Sequence, residues 1–163
     1  MVKGFKKKAH FATGMHKFLI RGVVQGVGFR PFIYRRAKAA GRKGYVKNVG
    51  QGVEVVVDDA AFIESIQDWP PLARIDSVST ERTAYDCHDF SIEPSDGEGA
   101  ELPADIFMCE SCRGDLRDPD NRRYGYYFVT CTDCGPRFSM IEGTPYDRPL
   151  TSMADFAMCA ACR

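Results

Sequence analysis

The sequence predicts an α+β protein in two parts, a ferredoxin-like βαββαβ unit followed by a small cysteine-rich metal module. Three observations predict it. Between residues 16 and 94, stretches of period-two and of helical apolar spacing follow one another as strand, helix, strand, strand, helix, strand. Glycine- and proline-bearing breaks separate these stretches. Beyond them, six of the seven cysteines fall into Cys-x-x-Cys pairs: Cys109/Cys112, Cys131/Cys134 and Cys159/Cys162.

The elements follow in order. Residues 1–15 carry Lys3, Lys6, Lys7 and Lys8 with no apolar run behind them, so they read as a disordered basic tail and not as an export signal. Lys17 to Val24 reads as a strand, with Phe18, Ile20 and Val24 on one face and Leu19 and Val23 on the other. After the loop Gln25–Phe29, Arg30 to Ala40 reads as a helix. Pro31 suits its first turn, where a missing N–H costs nothing, and Gly41 stops it. Lys43–Val49 and Val53–Asp58 read as strands joined by Gly50-Gln51-Gly52. Asp58 or Asp59 is placed to cap a second helix carrying Phe62, Ile63, Ile66 and Trp69, which Pro70-Pro71 ends. Ile75–Thr83 is a further strand and Asp89–Ile92 a short one. The domain spans 16–94, a linker 95–103, and the cysteine region 104–163.

Bulk composition narrows the function. Lys plus Arg equal Asp plus Glu at 22 each, so the net charge is zero. That balance argues against a phosphate-tracking nucleic-acid surface. No stretch is apolar enough to cross a bilayer. With no export signal, the expected compartment is the cytoplasm, where cysteines stay reduced and metal ligation outranks disulfides.

The loop Gln25-Gly26-Val27-Gly28-Phe29-Arg30 has the parts of an anion cradle. Glycines let main-chain N–H groups converge, and the helix N-terminus supplies a positive dipole end. The Arg30 fork takes two oxygens at once. The loop lacks the Lys-Ser/Thr of a nucleotide P-loop, which argues against ATP. The competing reading is a tight strand-to-helix turn with Arg30 paired to a surface carboxylate. Asn48 likewise reads either as a site residue or as a cap on the Gly50-Gln51-Gly52 hairpin.

Ile20-Arg21-Gly22-Val23-Val24-Gln25-Gly26-Val27-Gly28-Phe29-Arg30, with Gly44-Tyr45-Val46-Lys47-Asn48, resembles the two signatures of acylphosphatases. The resemblance implies that Arg30 and the loop bind a phosphate and that Asn48 positions the attacking water. Little else is needed chemically. An acyl phosphate has a good leaving group, so positioning and charge stabilisation carry the reaction.

Eighteen residues separate the first two cysteine pairs and twenty-four the second and third. The simplest grouping is a four-thiolate site of Cys109, Cys112, Cys131 and Cys134. Such a closed site is structural, with zinc the expected metal. Cys159 and Cys162 then form half of a second site whose partners lie beyond Arg163, as in a chain cut inside a second module. A crossed grouping of the first pair with the third stays open, as do iron–sulfur ligation, a redox dithiol and free core thiols. Cys87-His88, His10 and His16 carry no metal signal.

An acylphosphatase-like unit followed by this ladder resembles the HypF carbamoyltransferases of [NiFe]-hydrogenase maturation. The resemblance rests on Pro70-Pro71-Leu72-Ala73-Arg74-Ile75-Asp76, Cys131-Thr132-Asp133-Cys134-Gly135-Pro136-Arg137-Phe138 and Pro145-Tyr146-Asp147-Arg148-Pro149. It implies carbamoyl phosphate as substrate, dephosphorylated here to carbamate. Later domains, YrdC-like and Kae1-like, make carbamoyl adenylate and pass the group to HypE; this chain is expected to lack them. Two other functions compete. One is a zinc-stabilised interaction scaffold without turnover. The other is a nucleic-acid-binding zinc ribbon, suggested by Arg117, Arg122, Arg123, Arg137 and Arg148 beside Tyr124, Tyr126 and Tyr127.

Overall fold

The computed structural model describes residues 13–50, 52–96, 108–131, 133–135, 138–144, 147–158 and 160. The first unit is one five-stranded sheet with a helix on one face. Its elements are β1 (Thr13–Val23), α1 (Phe29–Ala39), β2 (Gly44–Val49), β3 (Gly52–Val57), β4 (Arg74–Ala84) and β5 (Phe90–Ile92). The sheet order is β4-β1-β3-β2-β5. All pairings are antiparallel except β2 with β5.

Alternation explains the core. On β2, Val46 and Asn48 point inward while Tyr45 and Lys47 point away. On β3, Val53, Val55 and Val57 share the inward face, opposite Asn48, Val46 and Gly44. The helix presents Phe29, Ile33 and Ala37, one residue per turn, to that face. Phe18 and Ile20 of β1, Phe90 of β5 and the loop residues Val24 and Val27 join the cluster. Gly41, at φ 64°, closes α1: Arg42 N–H reaches back to the Ala37 carbonyl at 2.9 Å.

Four expectations are revised. β1 begins at Thr13, so Thr13–Met15, assigned above to the tail, belong to the sheet. Met15 is buried, and the strand extends because β4 runs alongside it for its full length. The weak strand at Ile75–Thr83 is in fact eleven residues long; its mostly exposed side chains reflect an edge position and hide it from a burial pattern. The second helix shrinks to a run of turns over 60–65 with a single i to i+4 bond, Ser65 N–H to Ala61 O. Phe62, Ile63 and Ile66 still enter the core, and Trp69 stacks on Phe29 with 5.2 Å between centroids. Pro70-Pro71 disfavours helical backbone at the residue before it, and Trp69 is drawn to the Phe29 ring. Finally, the linker proposed from residue 95 starts later, because Asp96 bridges Val49 and donates its N–H to the Asn48 carbonyl at 2.9 Å. Residues 1–12 of the tail and 97–103 of the linker lie outside the described residues.

One position gives a direct test of this packing. Gly44 has φ 141°, and a Cβ there would sit 1.8 Å from the Val56 carbonyl oxygen. Gly44→Ala is therefore expected to destabilise the first unit by about 2 kcal/mol or more. Denaturant unfolding measures it.

Candidate active site and metal centre

The loop after β1 is shaped from both sides. Val24 and Val27 are buried in the core and pin it down. Between and after them, Gly26 and Gly28 adopt φ of 74° and 72°, the left-handed region a side chain resists. Gly28 is the N-cap of α1; it offers no side-chain cap, and no acidic residue occupies the first turn. The positive end of α1 therefore carries no side-chain cap and no first-turn carboxylate, an arrangement that favours negative charge. Among the described residues no acceptor meets the main-chain N–H groups of Gly26, Val27 or Gly28.

The side chain of Gln25 holds the loop in place. Its side-chain amide donates to the carbonyls of Val49 and Gly52, both at 2.8 Å, and so ties the loop to the end of the β2–β3 hairpin. Val27 turns its side chain into the core. Any contact these two make with an anion comes from the main chain.

Asn48 is 1 % exposed, and neither its carboxamide oxygen nor its nitrogen has a partner among the described residues. An orphaned buried amide costs about 1–3 kcal/mol. The hairpin-capping role weighed for Asn48 is not made by this side chain.

Arg30 and Asn48 line one cavity of about 630 Å³ together with Gly26, Gly28 and Phe29. Val24 and Pro31 line it too, and the facing walls come from the cysteine region, among them Arg123, Thr130, Cys131, Asp147, Arg148 and Thr151. The guanidinium of Arg30 donates to Asp147 Oδ1 at 2.6 Å and to Ser95 Oγ at 3.1 Å. Both competing readings of Arg30 therefore hold part of the geometry. It faces the glycine loop, and it meets a carboxylate.

The cavity's other cations are held in place. Arg123 pairs with Asp115 at 2.7 Å, and Arg148 donates to the Phe156 carbonyl. No periodicity or spacing marks Asp147, Ser95, Arg123 or Arg148 as neighbours of the loop. Arg30 and Asp147 are 117 residues apart, and only tertiary folding brings them together.

The second unit is organised by α2 (Glu110–Arg117), whose N-cap is Cys109. Cys112 in its first turn, Cys131 and Cys134 converge with Cys109 so that their four sulfurs lie within 4.8 Å of one another. Cys109–Cys131, Cys112–Cys134 and Cys131–Cys134 sulfurs are 3.5, 3.7 and 3.7 Å apart. A tetrahedral metal with bonds of about 2.3 Å needs sulfurs about 3.8 Å apart, so the set fits a metal ion. Gly135, at φ 60°, turns the chain, its N–H bonding the Cys131 carbonyl at 2.9 Å. The first and second pairs are therefore the ones that meet. Burial first, then hydrogen bonds from Cys134, Cys131 and Cys109, hold the Cys112 thiol well above its usual range. A cation at the centre reverses that preference. Cys159 and Cys162 lie outside the described residues, and Cys87 and His88 join no such cluster among them.

The two units share packing. Leu72 lies against the sheet core and against the small cluster of Cys112, Val129 and Cys134. Cys131 and Gly135 line the cavity itself, so the four-cysteine cluster adjoins the glycine loop. No helix among the described residues is long and apolar enough to cross a membrane.

Residues 16–92 match the Acylphosphatase family and residues 108–141 the HypF finger. The chain is similar to Carbamoyltransferase HypF2 of Cupriavidus necator, 46% identical over 152 residues that cover 86% of this chain and 19% of that protein. It is similar to the Acylphosphatase of Caldivirga maquilingensis, 43% identical over 72 residues, 40% of this chain and 76% of that one. Among solved structures, full-length HypF in a phosphate- and nucleotide-bound form superposes with a TM-score of 0.81 at 41% identity, covering 91% of this chain and 21% of that chain. The chain spans about a fifth of the length of the carbamoyltransferase it matches.

Proposed function

The chain belongs to the acylphosphatase family and, with its HypF finger, matches the corresponding part of HypF proteins, and from that premise we propose that it hydrolyses an acyl phosphate, carbamoyl phosphate foremost. Within a whole HypF this would be the opening step of carbamoyl transfer, in the cytoplasm, with HypE as the eventual acceptor. The observation that carries the reading is the shared cavity: a buried, unpartnered Asn48 carboxamide and the Arg30 guanidinium beside a glycine loop at a helix N-terminus.

The chemistry uses few groups. Main-chain N–H groups of residues 25–30 and the Arg30 fork take the non-bridging phosphoryl oxygens and neutralise their charge. The Asn48 carboxamide holds a water in line with the bond to be broken. Water oxygen bonds to phosphorus as the P–O bond to the acyl group breaks. Carbamate departs with the bonding electrons, and the water proton passes to solvent. Because carbamate leaves readily, no general acid is required. The four-cysteine site, with zinc as its metal, is structural: all four positions are filled by thiolates and none remains for substrate.

Asn48→Ala is expected to lower kcat by about 10²–10³-fold with a much smaller change in KM, because water is positioned only for the reaction. Phosphate release from carbamoyl phosphate measures it. A second reading has one observation behind it, the Arg30–Asp147 ion pair at 2.6 Å, which gives Arg30 a structural partner. On that reading the chain is a zinc-stabilised interaction scaffold, and no acyl phosphate is turned over by either the unaltered chain or the variant.

A further inference from the structure

The phosphate loop is not an open surface in this chain. The cysteine region covers it, and the space left above the loop is where the acyl end of a bound acyl phosphate has to lie. Among the described residues lining that space, Asp147 is the one carboxylate. We infer that Asp147 is the residue that selects the acyl group, admitting one that carries a hydrogen-bond donor, such as the amino group of carbamoyl, over one that does not, such as acetyl. This rests on the proposed hydrolytic reading and adds a specificity element to it.

The position of Asp147 is fixed by its own backbone. It precedes the 3-10 turn Arg148–Leu150, and the Leu150 N–H bonds the Asp147 carbonyl at 2.9 Å. The flanking chain is held by the Ile141–Thr151 bridge and by Glu142 N–H to the Leu150 carbonyl at 2.9 Å. Its carboxylate therefore enters the cavity from a closed loop, and its side chain is 28% exposed.

A carboxylate beside a phosphate site is costly for any dianion, because the like charge opposes binding. It accepts hydrogen bonds and donates none. A carbamoyl amino group supplies two donors and offsets the repulsion, whereas an acetyl methyl leaves the carboxylate facing a dianion with no compensation. Sites built to hydrogen-bond a substrate N–H reject analogues lacking it. In the structure the Arg30 guanidinium donates to both Asp147 and Ser95. An incoming phosphoryl group competes for the same fork and leaves the carboxylate in need of a new donor.

The test is a comparison of kcat/KM for carbamoyl and acetyl phosphate in the unaltered chain, Asp147→Ala and the near-isosteric Asp147→Asn, each checked for bound metal and thermal midpoint. In Asp147→Ala the carbamoyl-over-acetyl ratio is expected to fall by about 10- to 100-fold, less than at a fully enclosed site because Asp147 is partly exposed. Carbamoyl turnover drops while acetyl turnover holds or rises, and Asp147→Asn lies between. A change by one common factor for both substrates overturns the inference: a common fall makes Asp147 a support for Arg30, and a common rise makes it only a competing anion. Turnover of neither substrate by the unaltered chain overturns the hydrolytic reading instead, and this inference with it.

Discussion

Replacing Arg30 by alanine is expected to lower kcat/KM for acyl phosphate hydrolysis by about 10³-fold, close to 4 kcal/mol of transition-state stabilisation. The guanidinium is the only side-chain cation proposed to touch the phosphoryl oxygens, and the loop N–H groups are neutral donors. Arg30→Lys is expected to recover only part of the loss, because an ammonium is a point charge and cannot span two oxygens. Stability should change far less. Arg30 and Asp147 are 20% and 28% exposed, and a partly solvated pair of this kind contributes about 1 kcal/mol or less. Steady-state phosphate release and a thermal unfolding scan on the same samples separate the two effects. Full activity in Arg30→Ala would remove the guanidinium from the chemistry.

Removing the metal, or one of its ligands by Cys112→Ser, is expected to unfold the second unit while the sheet unit persists. The second unit's described core is small: Cys112, Val129, Cys134 and Met140 are its buried apolar members. Such a core cannot offset the entropy of ordering its chain without cross-links. Structural zinc contributes about 10–16 kcal/mol of apparent folding free energy in comparable small sites. The sheet unit has its own cluster of fifteen buried residues and is expected to keep its unfolding transition. Hydrogen exchange before and after chelation, with metal counted per chain, resolves the two regions. Because Cys131 and Gly135 border the cavity, acyl selectivity should be lost together with the metal, even where some phosphate release survives.

How much of this was legible beforehand depends on the range of the interaction. Strands with an apolar inward face, such as β3 with Val53, Val55 and Val57, announce themselves by alternation. The αL glycines of the loop and Gly41 at the end of α1 are local in cause and were readable as such. The ends of β4 are hidden in the sequence because an edge strand with exposed side chains lacks a period-two signal. Phe62, Ile63 and Ile66 have helical spacing yet bury themselves from turns, so their pattern overstates the second helix. At the site, Arg30 and Asn48 sit in local motifs. Asp147 has no local cause at all: nothing near it in sequence indicates that its carboxylate reaches a guanidinium 117 residues away. The Cys-x-x-Cys spacing named the four ligands but left the grouping open until Cys109, Cys112, Cys131 and Cys134 were seen to converge.

On the proposed mechanism a phosphoryl group rests on the main-chain amides of the loop beneath Arg30. Titrating the isotope-labelled, metal-loaded chain with inorganic phosphate and following its backbone amide resonances tests that directly. Saturable shifts are expected at Gly26, Val27, Gly28, Phe29 and Arg30, with a companion change at the Asn48 side-chain amide, all weakened strongly in Arg30→Ala. Shifts absent from that loop at saturating phosphate, or unchanged by the loss of Arg30, would contradict it.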